Sequence, residues 1–564
     1  MEGRMIDRDD IAAYDQFWQS VPPCCLEKAD ICTGLWRKAR VIKPSRAEGP
    51  DCEGFDVIVA GGGAWGMLMG SMLAKRGFHV LILEKNSRFH CGATWNISRP
   101  EFADLKKTGI LPESVWEGLV TGEFTEGVFR LFDDSAAPPG QREFHFDEIL
   151  NVSLDETKYF SLLSATPGLS CRLDARAALE RLSRTAAYVR YGDPSKPGLA
   201  KGRLLIDATG WTSPLAALAN YRRETDAVYN MLGFRTDRKL PRALSPSTGR
   251  PMGLICTTFE NEIASPAGPV QPILERFTDY VPGLVDRGDV IYYFTRTPRA
   301  APILPLVGEM LARIHYILPG FSEEMVERTY FGHAPAYRKF GPFSRYRLQM
   351  SAGDRILLVG TAAFQYNDLT GCGFGPLVRN AMDLCNSIAR LLSKDRLTFS
   401  SLKRVDIDPR ERVSMEIGDL FVGATQLTAG ETPGTVNHDW ISFTEAAEGM
   451  DQHLKNEAFR DKVRLETLNQ LIRVCAVKPK VIGGLIRNNR GRIGAVVWTF
   501  ISAYARLLFH ELRLFAGRRK RKYFTGGSGA VMRLPGFAVN VAKVWSAGRA
   551  VSRLAGKAKR GDKG

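Results

Sequence analysis

Residues 55–66 read Phe55-Asp56-Val57-Ile58-Val59-Ala60-Gly61-Gly62-Gly63-Ala64-Trp65-Gly66. The first six are a β-branched run suited to a strand buried in a parallel sheet, and they lead straight into G-x-G-x-x-G at the opening of a predicted helix. At such a junction Gly61 permits the tight turn, Gly63 lets the backbone approach a pyrophosphate, and Gly66 allows helix to pack closely on strand. The free N–H groups of the helix N-terminus then attract the anion. The helical stretch stops at Gly77, where a C-cap glycine would sit. A second run, His79-Val80-Leu81-Ile82-Leu83-Glu84, completes a βαβ unit. Glu84 is placed to hydrogen-bond the ribose hydroxyls of an adenosine dinucleotide; its charge would repel a 2′-phosphate, which disfavours NADP at this site.

Further out, residues 203–208 and 355–359 are runs of the same kind, each ending in a glycine-containing turn, and are predicted to rejoin the first sheet. Between them 227–236, 253–258 and 289–295 are rich in Val, Tyr, Phe and Thr and read as antiparallel strands of a second domain. Beyond Thr370 the pattern is helical. The expected organisation is α/β. A discontinuous Rossmann-like domain (55–225 and 346–395) carries an inserted antiparallel β-sheet substrate domain (226–345) and a helical C-terminal region (396–510). A partly ordered leader (1–54) and a basic tail (511–564) complete the chain.

With 44% apolar and 24% charged residues, the 564-residue chain has a globular composition. Its net charge of +16 is concentrated: residues 511–564 hold fourteen Lys and Arg against two acids, leaving 63 basic against 59 acidic residues in the preceding 510. The tail follows a short apolar stretch from Ile493 to Tyr504, too short to span a bilayer. Two readings fit that stretch: a helix in the interface of an anionic membrane, or a buried core helix followed by a solvated charge run. No nucleic-acid recognition motif is present. None of the ten cysteines forms C-x-x-C, and the eight histidines lack metal-ligand spacing, so no metal site is expected. No secretory signal is evident, and a cytoplasmic, peripherally membrane-bound protein is expected. His333 and His438 read as structural.

Two later segments narrow the cofactor. Leu205-Ile206-Asp207-Ala208-Thr209-Gly210 resembles the second signature of FAD-dependent monooxygenases and reductases, a strand whose A-T-G turn lies against the cofactor. Residues 355–363, with Gly360 and Thr361, followed by Gly371-Cys372-Gly373-Phe374-Gly375, resemble their third. The three in order resemble flavoproteins of the para-hydroxybenzoate hydroxylase and geranylgeranyl reductase type. This implies bound FAD, with NAD(P)H as a transient electron donor. The implied cofactor residues are Gly61, Gly63, Gly66, Glu84, Asp207, Gly210, Gly360, Thr361, Gly373 and Gly375. The family has Asp where this chain has Thr361, which keeps one hydrogen-bonding oxygen but no charge and implies weaker binding.

Thr94-Trp95-Asn96-Ile97-Ser98-Arg99 resembles the W-N-I-S-R segment of the lycopene cyclases of cyanobacteria and green sulfur bacteria and of their plant paralogue. The likeness extends through 146–153 (F-D-x-x-L-N-x-S), Tyr330-Phe331 and Ala336-Tyr337-Arg338. It implies a lipophilic carotenoid or other isoprenoid substrate, cyclised when an acid protonates a terminal double bond and reduced flavin stabilises the carbocation. Arg99 then reads as a cation near the flavin or its phosphates, or as a surface ion pair. The tract Tyr292-Tyr293-Phe294-Thr295-Arg296-Thr297-Pro298 resembles an aromatic tract of carotenoid cyclases, but Thr295 and Arg296 stand where relatives place an acid. Asp368, in the turn between the third strand and its helix, is the candidate replacement acid; its plainer reading is as the cap of that helix. A reductase or monooxygenase of another lipophilic substrate, and a noncatalytic flavin- or lipid-binding paralogue, remain alternatives.

Overall fold

A computed structural model describes residues 6–20, 42–45, 50–89, 95–133, 140–193, 195–210, 213–219, 225–238, 249, 252–259, 273–277, 288–297, 300–315, 317–318, 320–337, 350–363, 365–367, 373–405, 407–422, 444, 447–477 and 493–519. Seven strands form the first sheet: β1 (Glu53–Ala60), β2 (Val80–Leu83), β3 (Leu169–Arg172), β4 (Ala178–Leu182), β5 (Ala187–Tyr191), β6 (Gly198–Asp207) and β7 (Ile356–Leu358). Their order is β3-β2-β1-β6-β5-β4, with β7 also on β6. The five strands β3, β2, β1, β6 and β7 run parallel. The four runs that the sequence singles out are therefore neighbours. On one edge of β6, antiparallel β5 takes the first half (Gly198–Gly202) and β7 takes Leu205–Asp207.

The helices packed around the sheets include α1 (Arg8–Ser20), α2 (Ala64–Ala74), α3 (Arg99–Lys107), α4 (Leu304–Ile314), α5 (Phe374–Ser393), α6 (Pro409–Val422), α7 (Leu465–Val477) and α8 (Ile493–Arg519). Successive β1 side chains point to opposite faces. Val57 and Val59 pack with Met67 and Leu68 of α2 and Leu377 and Ala381 of α5. Ile58 and Ala60 pack on the other face with Leu205 and Ile356. Burial on both faces is why the run is continuously apolar, and each such aliphatic side chain contributes about 1.5–3 kcal/mol. Gly77 ends the α2 turn at φ +86°, as its position after the helix implies.

The second sheet runs, edge to edge, Val326–Tyr337, Thr225–Thr236, Val290–Thr297, Ile273–Phe277, Met252–Phe259, Glu126–Asp133 and Gly140–Asp147. It corrects the expected boundaries, because its last two strands come from within 55–225. It is also not wholly antiparallel: Met252–Phe259 pairs parallel to Glu126–Asp133. Alternation divides the aromatic tract. Tyr292 faces Val413, Leu468 and Phe500 of α6, α7 and α8, while Tyr293 faces Leu306 and Met310 of α4.

The leader contributes α1 to this second face. Asp15 accepts hydrogen bonds from the Ile303 and Leu304 N–H groups, both at 2.8 Å, and so caps α4 from outside it. Tyr14 stacks on His333 with ring centroids 5.4 Å apart, and its hydroxyl lies 3.1 Å from Nδ1. His333 Nε2 lies 2.8 Å from the Ala301 carbonyl, so both ring nitrogens are used in packing and the structural reading of this residue fits. His438 lies outside the described residues. At the other end, α8 runs through the expected 510/511 boundary to Arg519.

Candidate cofactor site

Because β2, β1, β6 and β7 are adjacent and parallel, the turns that follow them lie at one edge of the sheet, the place where open α/β sheets bind dinucleotides. Gly61 leaves β1 at φ +98°, and a Cβ there would lie 2.5 Å from the Ala208 carbonyl oxygen, so the first and second motifs touch through backbone alone. A Cβ on Gly66 would overlap the Gly61 carbonyl, which is the close helix-on-strand packing expected of it. Gly63 is different: it is the N-cap of α2, no side chain caps that helix, and the space its Cβ would take is open for 4 Å. An approaching anion would meet free N–H groups there.

Glu84 is buried, and its carboxylate accepts the Gly62 N–H at 2.7 Å and the Asn86 N–H at 2.9 Å. It therefore holds the glycine loop to the end of β2. Asp207 is fully buried and accepts from the Thr209 N–H at 3.0 Å, the Thr209 hydroxyl at 2.6 Å and the Ser213 hydroxyl. Burial raises its pKa against the opposing effect of those three donors. Its carboxylate is spent on shaping the A-T-G turn, whose Gly210 sits at φ +81°.

The third turn opens at Gly360, φ +62°. Gln365 clamps it, accepting the Gly360 N–H at 2.9 Å through Oε1 and donating its own N–H to the Gly360 carbonyl at 3.0 Å. Thr361 is exposed beside it. Gly373 caps α5 against Tyr366, and Gly375 lies against Glu101. Asp368, Gly371 and Cys372 lie outside the described residues.

Beneath α5 is a buried ionic cluster that sequence reading missed. Arg379 donates to Glu101 at 2.6 Å and to both oxygens of Glu411 at 2.8 and 2.6 Å; Arg460 donates to Glu101 at 2.8 Å. Burial works against the Arg379 charge, but Glu411 and Glu101 together hold its pKa above the usual arginine value. Asn367 donates to Asp461 at 2.6 Å, tying the residues that follow the third turn to the helical region. The partners lie up to 359 positions apart, so no local signal reveals them.

Arg99 is held elsewhere. Its guanidinium pairs with Glu123, donating from Nε at 2.8 Å, and with Glu117 at 3.3 Å, so the ion-pair reading is the one the structure displays. Its segment docks on the other half of the cyclase-like likeness: Asn96 pairs with Ser153, the Arg99 N–H donates to Asn151 at 2.9 Å, and the Leu150 N–H donates to Ser98 at 3.0 Å. The two motifs thus supply two adjacent strands of a small three-stranded sheet, whose third strand is Val120–Glu123. A concavity beside Asp56, His79 and Lys201 lies at the opposite, N-terminal end of β1 and shares no residue with the site. Among the described residues no His, Cys, Asp and Glu cluster could hold a metal ion. The Cys171 and Cys385 thiols are pushed up to about 11 by burial, as unreactive space-filling residues require.

No family model matches the chain. A curated Drosophila melanogaster protein, "FAD-dependent oxidoreductase domain-containing protein 1 homolog", is 27% identical over 171 residues, 30% of this chain and 31% of that one. The chain thus matches under a third of that relative's length. Halogenase PltM, in a crystal structure with phloroglucinol and FAD, superposes with a TM-score of 0.50 at 16% identity, over 77% of this chain and 96% of the halogenase. A geranylgeranyl bacteriochlorophyll reductase-like protein of Thermoplasma acidophilum gives 0.48 at 15% identity, over 78% and 100%. The architecture is that of the Rossmann-type FAD-binding flavoproteins.

Proposed function

We propose that the chain is an FAD-dependent enzyme of a lipophilic substrate, of the lycopene cyclase type that its motifs resemble. The observation carrying the cofactor is the convergence of the Gly61–Gly63, Glu84, Gly210 and Gly360–Thr361 turns at one sheet edge, with an open approach only at Gly63 among the first motif's three glycines. The α2 N-terminus would hold the pyrophosphate, Glu84 the ribose hydroxyls, and the exposed Thr361 hydroxyl the ribityl chain. FAD, when bound, supplies either electron transfer or, reduced, an electron-rich face for a developing cation. Asp368 would hold the proton for a substrate double bond, with Asn367 and Asp461 fixing the chain just before it.

One observation favours a reductase or monooxygenase instead. The Thr295 hydroxyl, at a position where relatives carry an acid, accepts from Asn230 at 3.2 Å inside the sheet, which leaves that position without a proton donor. Acyclic carotene incubated with the protein and reduced FAD, then chromatographed, separates the readings. Ring formation supports cyclisation, hydrogenated or oxygenated product supports redox chemistry, and no conversion with flavin still bound supports a noncatalytic paralogue. Purified protein that shows no flavin absorbance after reconstitution overturns all three.

The same proposal places the enzyme against an anionic bilayer. No described helix is long and apolar enough to cross a membrane. Val497, Phe500, Ala503, Tyr504 and Leu507 of α8 pack into the body, so that half of the core-helix reading fits. Trp498, Phe509 and Leu512, exposed by 57%, 69% and 42%, form one stripe on the opposite face, directly before the basic run 518–522.

A further inference from the structure

Trp65 occupies a variable position of the first glycine motif, as the second residue of α2. It is 93% removed from solvent at 7% exposure, yet its indole Nε1 finds no acceptor among the described residues. Buried donors are mostly paired, and because Trp116 Nε1 is also without an acceptor among the described residues, it is the location of Trp65 that points to a partner. Its location says what that partner is. A Cβ built on Gly360 would lie 2.8 Å from Trp65 Cδ1, the ring carbon bonded to Nε1. The Cγ–Cδ1 side of the indole therefore lies against the third glycine turn, with Nε1 one bond beyond Cδ1, while the Trp65 backbone sits at the uncapped N-terminus of α2 beside the open space at Gly63. First and third turns meet across this one side chain.

We propose that Trp65 is a cofactor-contacting residue whose indole N–H donates to a pyrophosphate oxygen of the dinucleotide held between these two turns. The inference rests on the FAD reading above and adds to it a residue that the glycine motif leaves unspecified. An anion suits the position, because the α2 N–H groups already favour negative charge there and an indole can donate but not accept. The contact also offsets the binding lost where Thr361 replaces a charged residue: a neutral donor to a phosphate is a charge-assisted bond, stronger than the neutral bond Thr361 can make.

The test uses full-length protein stripped of flavin and titrated with FAD, with affinity read by calorimetry and by flavin fluorescence. Trp65→Phe removes the donor and some volume. Replacement of Trp65 by 3-benzothienylalanine removes only the N–H and keeps the ring shape, so packing damage is separated from the lost bond. Both variants are expected to bind FAD about 10-fold more weakly than the parent, the scale of one hydrogen bond to a charged group. The unliganded thermal midpoint of the benzothienyl protein is expected to equal or exceed the parent's, since a stranded donor is gone. Parent protein that binds FAD beside a benzothienyl variant of equal affinity overturns the role of Trp65 and leaves the FAD reading standing. Parent protein that binds no FAD overturns both.

Discussion

The Gly61 carbonyl oxygen occupies the space that a side chain at Gly66 would need, so the first turn of α2 rests directly on the backbone leaving β1. Gly66→Ala must push the helix off the strand. The expected loss is about 1–3 kcal/mol or more, seen as a lower denaturation midpoint before any cofactor is added. Gly63→Ser is the complementary case. It meets open space and supplies a good N-cap, so unliganded stability holds or rises by about a few tenths of a kcal/mol. FAD affinity falls, because the new side chain fills the approach. Equal stability losses in the two variants would contradict this division of labour.

Glu84 holds the glycine loop, and in the proposed function it also binds the ribose. Glu84→Ala leaves the buried Gly62 N–H without its acceptor, a cost of about 1–3 kcal/mol. Flavin affinity should drop further than the stability loss explains. Chemical denaturation with and without FAD measures both; an unchanged stabilisation by FAD would remove Glu84 from the cofactor contacts.

Burial raises the Asp207 pKa above its ordinary 3.8, so the folded protein holds this proton at pH values where the unfolded chain has released it. The bound proton favours the folded state. That contribution is complete below about 3.8 and is lost as pH rises through the higher folded value. Asp207→Asn cannot titrate and keeps an acceptor for Thr209. Parent stability should therefore fall relative to Asp207→Asn as pH rises above 3.8, and parallel stability–pH curves would refute the assignment.

Glu101 is the shared acceptor of Arg379 and Arg460, with its side chain only 2% exposed. Glu101→Ala strands the Arg460 guanidinium and takes one of the two carboxylates from Arg379, which keeps Glu411, and is expected to cost about 3–5 kcal/mol. Because Arg379 also bonds the Asp461 carbonyl at 3.0 Å and Asp461 holds Asn367, the milder Asp461→Asn should leave the protein folded but loosen the hold on Asn367. Faster proteolysis or hydrogen exchange confined to the chain around Asn367 checks the coupling.

What could be read in advance follows from how local each cause is. β2, β7 and the C-terminal halves of β1 and β6 are buried on both faces, so the sequence marks them with short apolar runs. Glu126–Asp133 is half-polar, with Arg130 paired to Glu143, and its parallel partner Met252–Phe259 is more than a hundred residues away, so nothing local assigns it to the second sheet. The docking of α1 rests on Tyr14 meeting His333 across 319 positions, a contact invisible to periodicity. The motif glycines were legible because each answers to the backbone beside it. Trp65 stands unmarked inside the same motif, because the motif specifies only where side chains must be absent. Its meaning comes from Gly360, nearly three hundred residues on.

The exposed stripe of α8 separates packing from docking. Trp498 and Phe509 lie away from the face that holds Phe500 and Leu507 in the core, so Trp498→Ser with Phe509→Ser removes apolar surface without opening a cavity. The thermal midpoint should stay within about 1–2 °C of the parent, since such surface changes alter stability by only about 0.5 kcal/mol. Flotation with vesicles containing anionic lipid should fall sharply at low salt. Neutralising the basic run 518–522 should weaken flotation too, but through its salt dependence, because charge attraction is screened while apolar insertion is not. If the double variant floats like the parent, the stripe takes no part in membrane contact; if the parent fails to float at low salt, the bilayer is not its partner.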